Sequence, residues 1–157
     1  MADGSPETNV QLNGEHRFAA APERTFRLLR DPDALRTAIP GCERFDEVAS
    51  GVYDVAARLA VLGLRGSTSG RVEVAERSDG GVYRLVVSGQ GRERSVEGSA
   101  TLTLSPRGDG TVVRYRGSVT VRGKAARLGR FALGAAAKLL VRQFFEGMDR
   151  ELRKRPG

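Results

Sequence analysis

Between Asn9 and Ala19 apolar and polar residues alternate. Val10, Leu12, His16 and Phe18 stand against Gln11, Asn13, Glu15 and Arg17, which predicts a strand with one buried face. The period then changes. Pro22 suits the first turn of a helix, Phe26, Leu28 and Leu29 turn inward, and Asp31-Pro32 ends it. Asp31 reads as the N-cap, and Pro32 as the first helical position, of a second short helix to about Ala38. Ile39-Pro40-Gly41-Cys42 is a turn. Six antiparallel strands are expected over about 43–48, 52–62, 66–77, 81–90, 95–105 and 110–122, parted by Gly, Pro, Ser and Asp.

From Gly123 to Lys154 the period becomes helical. Leu133, Ala137, Leu140, Val141, Phe144, Phe145, Met148 and Leu152 share one arc, and Lys124, Arg127, Lys138, Arg142 and Arg153 gather on the other. The pattern predicts one amphipathic helix of roughly 30 residues, about 45 Å long. Its apolar arc needs a surface to cover, and the upstream strands supply one. The expected class is α+β, in one domain over 9–154 behind a loose N-terminus at 1–8. A curved antiparallel sheet of about seven strands would wrap around the long C-terminal helix, with two short helices after strand 1.

Alternation assigns the faces. Tyr53, Val55, Ala57, Leu59 and Val61 point one way, as do Val72 and Val74, then Tyr83, Leu85 and Val87. Val96, Ala100, Leu102 and Leu104 follow, and last Val113, Tyr115, Val119 and Val121. The same columns hold Gly66, Gly70, Gly89, Gly98 and Gly117. Glycine there permits a strong bend and leaves space unfilled, and no Trp is present to fill it. Both effects together predict an apolar cavity between sheet and helix.

Charge is uneven along the chain. Residues 1–106 carry 13 arginines against 15 acids, whereas residues 107–157 carry 13 bases against 4 acids. The net charge of +7 therefore belongs to the last strand and the helix, and suits an anionic partner. The single Cys42 cannot form an internal disulfide, and MADGSPETN has neither a basic nor an apolar segment of a secretory signal. The expected location is cytoplasmic, with peripheral placement on the inner face of the cytoplasmic membrane.

Catalytic templates fail in turn. His16 is the only histidine and falls on an inner face, where a hydrogen-bonded core role fits it. One Cys and one His cannot make a metal site. Gly66-Ser67-Thr68-Ser69-Gly70 has Thr at its centre and lies inside a strand pattern. Gly117 to Lys124 has five residues between its glycines and Ala125 where a phosphate loop needs Ser or Thr. Neither catalytic residues nor a metal or covalent cofactor is expected. Aromatics are few and inward, so nucleic acid is not expected as a partner either.

The basic helix face is the best surface signal. Leu128, Phe131 and Leu139 are interleaved with Arg127, Lys138 and Arg142, as in a helix lying in a bilayer interface. A solvated charged face that pairs with the acid-rich first part of the chain is the plainer account.

Asp31-Pro32-Asp33-Ala34-Leu35 followed by Ile39-Pro40-Gly41-Cys42-Glu43 resembles a signature of the carbon monoxide dehydrogenase G-subunit family. Gly98-Ser99-Ala100-Thr101-Leu102, Gly110-Thr111, Tyr115 and Val119 extend the resemblance. So does Gly123-Lys124-Ala125-Ala126-Arg127-Leu128-Gly129-Arg130, with Phe144-Phe145 near the helix end. It covers about 10–152. That family is similar to START and pollen-allergen-like proteins of the helix-grip (SRPBCC) superfamily, which bind apolar ligands under the final helix. The resemblance implies a non-catalytic accessory protein of a molybdenum hydroxylase-type oxidoreductase. Such a protein would associate with the membrane and carry a quinone or lipid between enzyme and bilayer. The chain ends at Gly157 without the longer tail some members attach by, so attachment is expected to fall to the basic helix face.

The expected cavity wall is Leu59, Val61, Leu85, Val87, Val119, Leu133, Ala137, Leu140, Val141 and Phe144. Membrane or partner contacts are expected at Lys124, Arg127, Leu128, Phe131, Lys138 and Arg142. Two alternatives stay open. One is a polyketide cyclase- or dehydratase-like enzyme drawing on His16, Tyr53, Tyr83 or Tyr115, and the other is an interaction module that uses only the basic face.

Overall fold

The structure is a computed structural model and describes residues 6–61, 64–76, 81–92 and 94–155; the side chains of residues 59–61 and 64 lie outside that description. The chain runs β1 (Glu7–Phe18), α1 (Pro22–Arg30), α2 (Pro32–Ala38), β2 (Cys42–Ala49), β3 (Val52–Val61), β4 (Leu64–Glu76), β5 (Val82–Gly91), β6 (Arg94–Arg107) and β7 (Gly110–Gly123). A 3-10 turn (Lys124–Leu128) leads into α3 (Gly129–Lys154). The strands form one antiparallel curved sheet in the order β1-β7-β6-β5-β4-β3-β2. β2 to β7 pair in sequence, whereas β1 pairs with β7, so the α1–α2 segment carries the chain from one sheet edge to the other.

Two boundaries differ from the sequence expectation. Glu7 and Thr8 belong to β1, opposite Arg122 and Val121, instead of a loose terminus. The expected helix from Gly123 to Lys154 is broken. Gly123 (φ 97°) and Gly129 (φ 87°) take backbone angles foreign to a helix, and the five residues between them make a tighter turn. Periodicity runs across such a break because Leu128 and Phe131 keep a helical spacing on either side of it.

The short helices form where local chemistry dictates. Pro22 begins α1, and the Asp31 carboxylate accepts the Asp33 and Ala34 N–H groups at 2.9 and 3.2 Å, capping α2. Arg155 binds the same carboxylate at 2.5 Å and reaches buried Glu151 at 3.4 Å, while Arg24 donates to the Leu152 and Arg155 carbonyls. These contacts clamp the end of α3 to α1 and α2. Burial pushes the Asp31 carboxyl up, but the Ala34 N–H and Arg155 outweigh it and hold the group below its usual value.

Gly41 explains the Ile39-Pro40-Gly41-Cys42 turn. Its φ is 74°, and a Cβ there would sit 2.0 Å from the Arg58 carbonyl oxygen, whose own N–H donates to the Gly41 carbonyl at 2.8 Å. Gly41→Ala is expected to cost about 2 kcal/mol or more, a fall of roughly 4–8 °C in Tm by calorimetry. An unchanged Tm would contradict this account of the turn.

Candidate functional site

The inner face of the sheet meets α3 in two separate buried clusters. At one end Phe18, Tyr53, Tyr83, Leu104 and Val113 pack with Phe145, Met148 and Leu152 of α3 and with α1 and α2. At the other end a small cluster joins Val10, Val121 and Leu133. Between the two, Leu85, Val87 and Ala100 on the sheet and Leu140 on α3 join neither cluster and stay half-buried. Register places Gly98 beside Val87 and Gly117 beside Ala100 in the same band. Well-packed interiors cover their inward apolar side chains, so this half-covered band is the candidate cleft.

The ten expected wall residues divide by position. Leu85, Val87 and Leu140 fall in the half-buried band between the clusters, Val119 and Ala137 at the edge of the small cluster, and Val141 and Phe144 at the edge of the large one. Leu133 is buried in the small cluster and serves as its core. The side chains of Leu59 and Val61 lie outside the described residues; the backbone of Leu59 pairs with Gly66.

Polar groups on this face are held by the fold. His16 Nε2–H donates to Asp149 Oδ1 at 3.0 Å, and the ring stacks on Phe145 at 4.7 Å. The Tyr53 hydroxyl donates to the Arg30 carbonyl at 3.0 Å, and burial, with the Glu47 charge, pushes it up. Tyr83 stacks on Phe26 at 4.0 Å and is likewise raised by burial. Tyr115 packs against Phe145 at 5.5 Å and points its hydroxyl at Gly14. Cys42 donates to the Arg44 carbonyl at 3.4 Å, and burial raises its thiol, which keeps it protonated and unreactive. These groups all lie at or beyond the large-cluster end.

One polar side chain escaped the periodicity. Arg94 opens β6 on the inner face, at the opposite end of the cleft, and reaches across to Thr68 of β4. Counting back by two from Val96 would have found it.

Outside the cleft, the turn after β7 forms a tip. Ala126 is buried and its carbonyl accepts from Thr8 Oγ1 at 2.8 Å, which pins the turn to β1 and rolls Leu128 and Phe131 outward. Leu128 is 48% and Phe131 93% exposed, beside exposed Arg127 and Arg130. Lys124 is exposed in the same turn. Phe131, Lys138 and Arg142, spaced seven and four apart, continue along one outer stripe of α3; Arg142 faces Glu146 at 3.9 Å. Leu139, expected on that stripe, is half-buried instead. No helix among the described residues is long and apolar enough to cross a membrane.

The outer face of the sheet carries a shallow groove lined by Arg44, Asp54, Ser69, Arg71, Ser88 and Gln90. Its hydroxyls and its Arg71–Asp54 pair at 3.5 Å are the chemical opposite of the inner cleft.

A curved antiparallel sheet packed on a long C-terminal helix, with two short helices after the first strand, is a START-like fold. Solved structures agree on the fold. A START superfamily protein from Mycobacterium smegmatis superposes with TM-score 0.70 at 12% identity, over 92% of this chain and 97% of its own. The aromatase/cyclase Zhui from Streptomyces sp. R1128 does so with TM-score 0.69 at 14% identity, over 94% and 95%. A conserved protein from Geobacillus kaustophilus is similar at TM-score 0.85 and 28% identity, over 93% and 95%. A comparison with curated proteins finds no match. Residues 14–153 match the family model of the carbon monoxide dehydrogenase G-subunit (CoxG), and the chain belongs to that family.

Proposed function

We propose that the chain is a carrier, holding an apolar small molecule, a quinone or lipid, in the cleft and passing it between an anionic membrane and a carbon monoxide dehydrogenase-type molybdenum oxidoreductase. The observation that carries this is the half-buried apolar band of Leu85, Val87, Ala100 and Leu140 between two otherwise closed clusters. A quinone ring or isoprenoid segment would gain about 25 cal/mol per Å² of apolar surface on entering, less the cost of immobilising it. The exposed tip of Leu128 and Phe131 with its arginines supports membrane docking, and the family supports the oxidoreductase as partner. A carrier fits better than a cyclase-like enzyme, because His16 and Tyr53 already commit their donors to Asp149 and Arg30.

Organic-solvent extraction of the purified protein, followed by mass spectrometry, tests the cleft. An isoprenoid quinone or lipid at near-stoichiometric amount is the expected result. Folded protein that yields no apolar molecule, even after incubation with quinone- and lipid-loaded vesicles, would sink the proposal.

A further inference from the structure

We infer that the cleft accepts an amphiphile whose head group carries a negatively charged oxygen, and that Arg94 binds that oxygen; the inference rests on the apolar-cleft function proposed above. Register sets Arg94 beside Gly91 of β5, and Gly91 beside Thr68 of β4, all on the inner face. With no side chain at Gly91, the Arg94 side chain can cross β5 to reach Thr68. Its Nε and Nη2 donate to Thr68 Oγ1 at 3.0 and 2.6 Å, and Nη1 donates to the Arg65 carbonyl at 3.1 Å. A Cβ at Gly91 would approach Nε to 3.2 Å, and one at Gly66 would approach Nη2 to 3.4 Å. Two glycines therefore make the bed in which this group rests.

A guanidinium has five N–H donors, and these contacts occupy three. The remaining two, one on Nη1 and one on Nη2, can each donate to a carboxylate or phosphate oxygen. Among the described residues no carboxylate pairs with Arg94, which is half-buried at the end of an apolar face. Among the described residues such a cation has no carboxylate partner, and an anionic head would bring it one. Its position along the cleft agrees. Arg94 pairs with Gly123, where β7 turns into the segment bearing Leu128 and Phe131. The head would sit at the end nearest the tip, with the tail running past Val87 and Leu85 toward Leu140.

Fluorescence titration with cis-parinaric acid and its methyl ester, which share a tail and differ in head charge, tests this on the full chain. The acid is expected to bind about tenfold or more tightly than the ester. Arg94→Met should bring the ratio to about one while leaving ester affinity unchanged. Arg94→Gln gives the same readout if the Met variant does not fold. Equal affinity for acid and ester in the parent, or a preference that survives both substitutions, would overturn the role of Arg94 and leave the cleft standing. Folded protein that binds neither probe would overturn the cleft and the head-group site together.

Discussion

Leu140→Trp is expected to empty the cleft. Leu140 is half-buried on α3 and belongs to neither cluster, so an indole there would fill the space proposed for the ligand without entering either core. Excluding an occupant from about 100 Å² of apolar contact removes about 2.5 kcal/mol of binding, nearly two orders of magnitude in occupancy. Solvent extraction should then recover little or no apolar molecule from protein whose Tm stays within a few degrees of the parent. Recovery at the parent level from folded variant would contradict the placement of the ligand. Ala137 is the less suitable position. It packs against the Val10–Val121–Leu133 cluster, where an indole would wedge a small core apart and cost about 1–3 kcal/mol of stability.

The second large effect is expected at the tip. Replacing both Leu128 and Phe131 with Asp should lower partition onto vesicles containing anionic lipid by about two orders of magnitude. The apolar pair supplies about 3 kcal/mol of interfacial insertion, and the neighbouring arginines add about 1 kcal/mol each near an anionic surface. Both residues are exposed, so folding stability should shift by no more than about 0.5 kcal/mol. Reversing charge at Arg127 and Arg142 should also weaken the interaction, and should leave it far less sensitive to salt. Vesicle co-sedimentation reads both; undiminished binding by the Asp double variant would remove the tip from the docking surface.

Most of the architecture was legible because each element carries its own local cause. Alternation marked the strands to within a few residues, Asp31-Pro32 marked the joint between the two short helices, and Gly41 marked a turn that any other residue would strain. The helix break was not legible from periodicity, which is indifferent to a change of backbone angle when the spacing of apolar residues survives it. Gly123 and Gly129 were the available signal. The half-buried band proposed as the cleft was legible only as a set of inward positions. Which of them pack and which stay half-covered depends on how far α3 stands from the sheet, and that separation is set at its two ends, by Met148 and Leu152 in one cluster and Leu133 in the other. Arg94 escaped because a charge at a strand end reads as solvent-facing, although its parity with Val96 assigns it to the inner face.

The pairing of the first strand with the last orders events in time. Glu7 lies opposite Arg122 and Phe18 opposite Thr111, so β1 has no partner until all the other strands have been made. Strands β2 to β6 can zip up one hairpin at a time as they emerge, but their apolar face stays open to water until β7 and then α3 arrive. Contacts this distant in sequence close late and slowly. The space between sheet and α3 is thus the last part of the molecule to close, and a ligand held there would come to a finished protein.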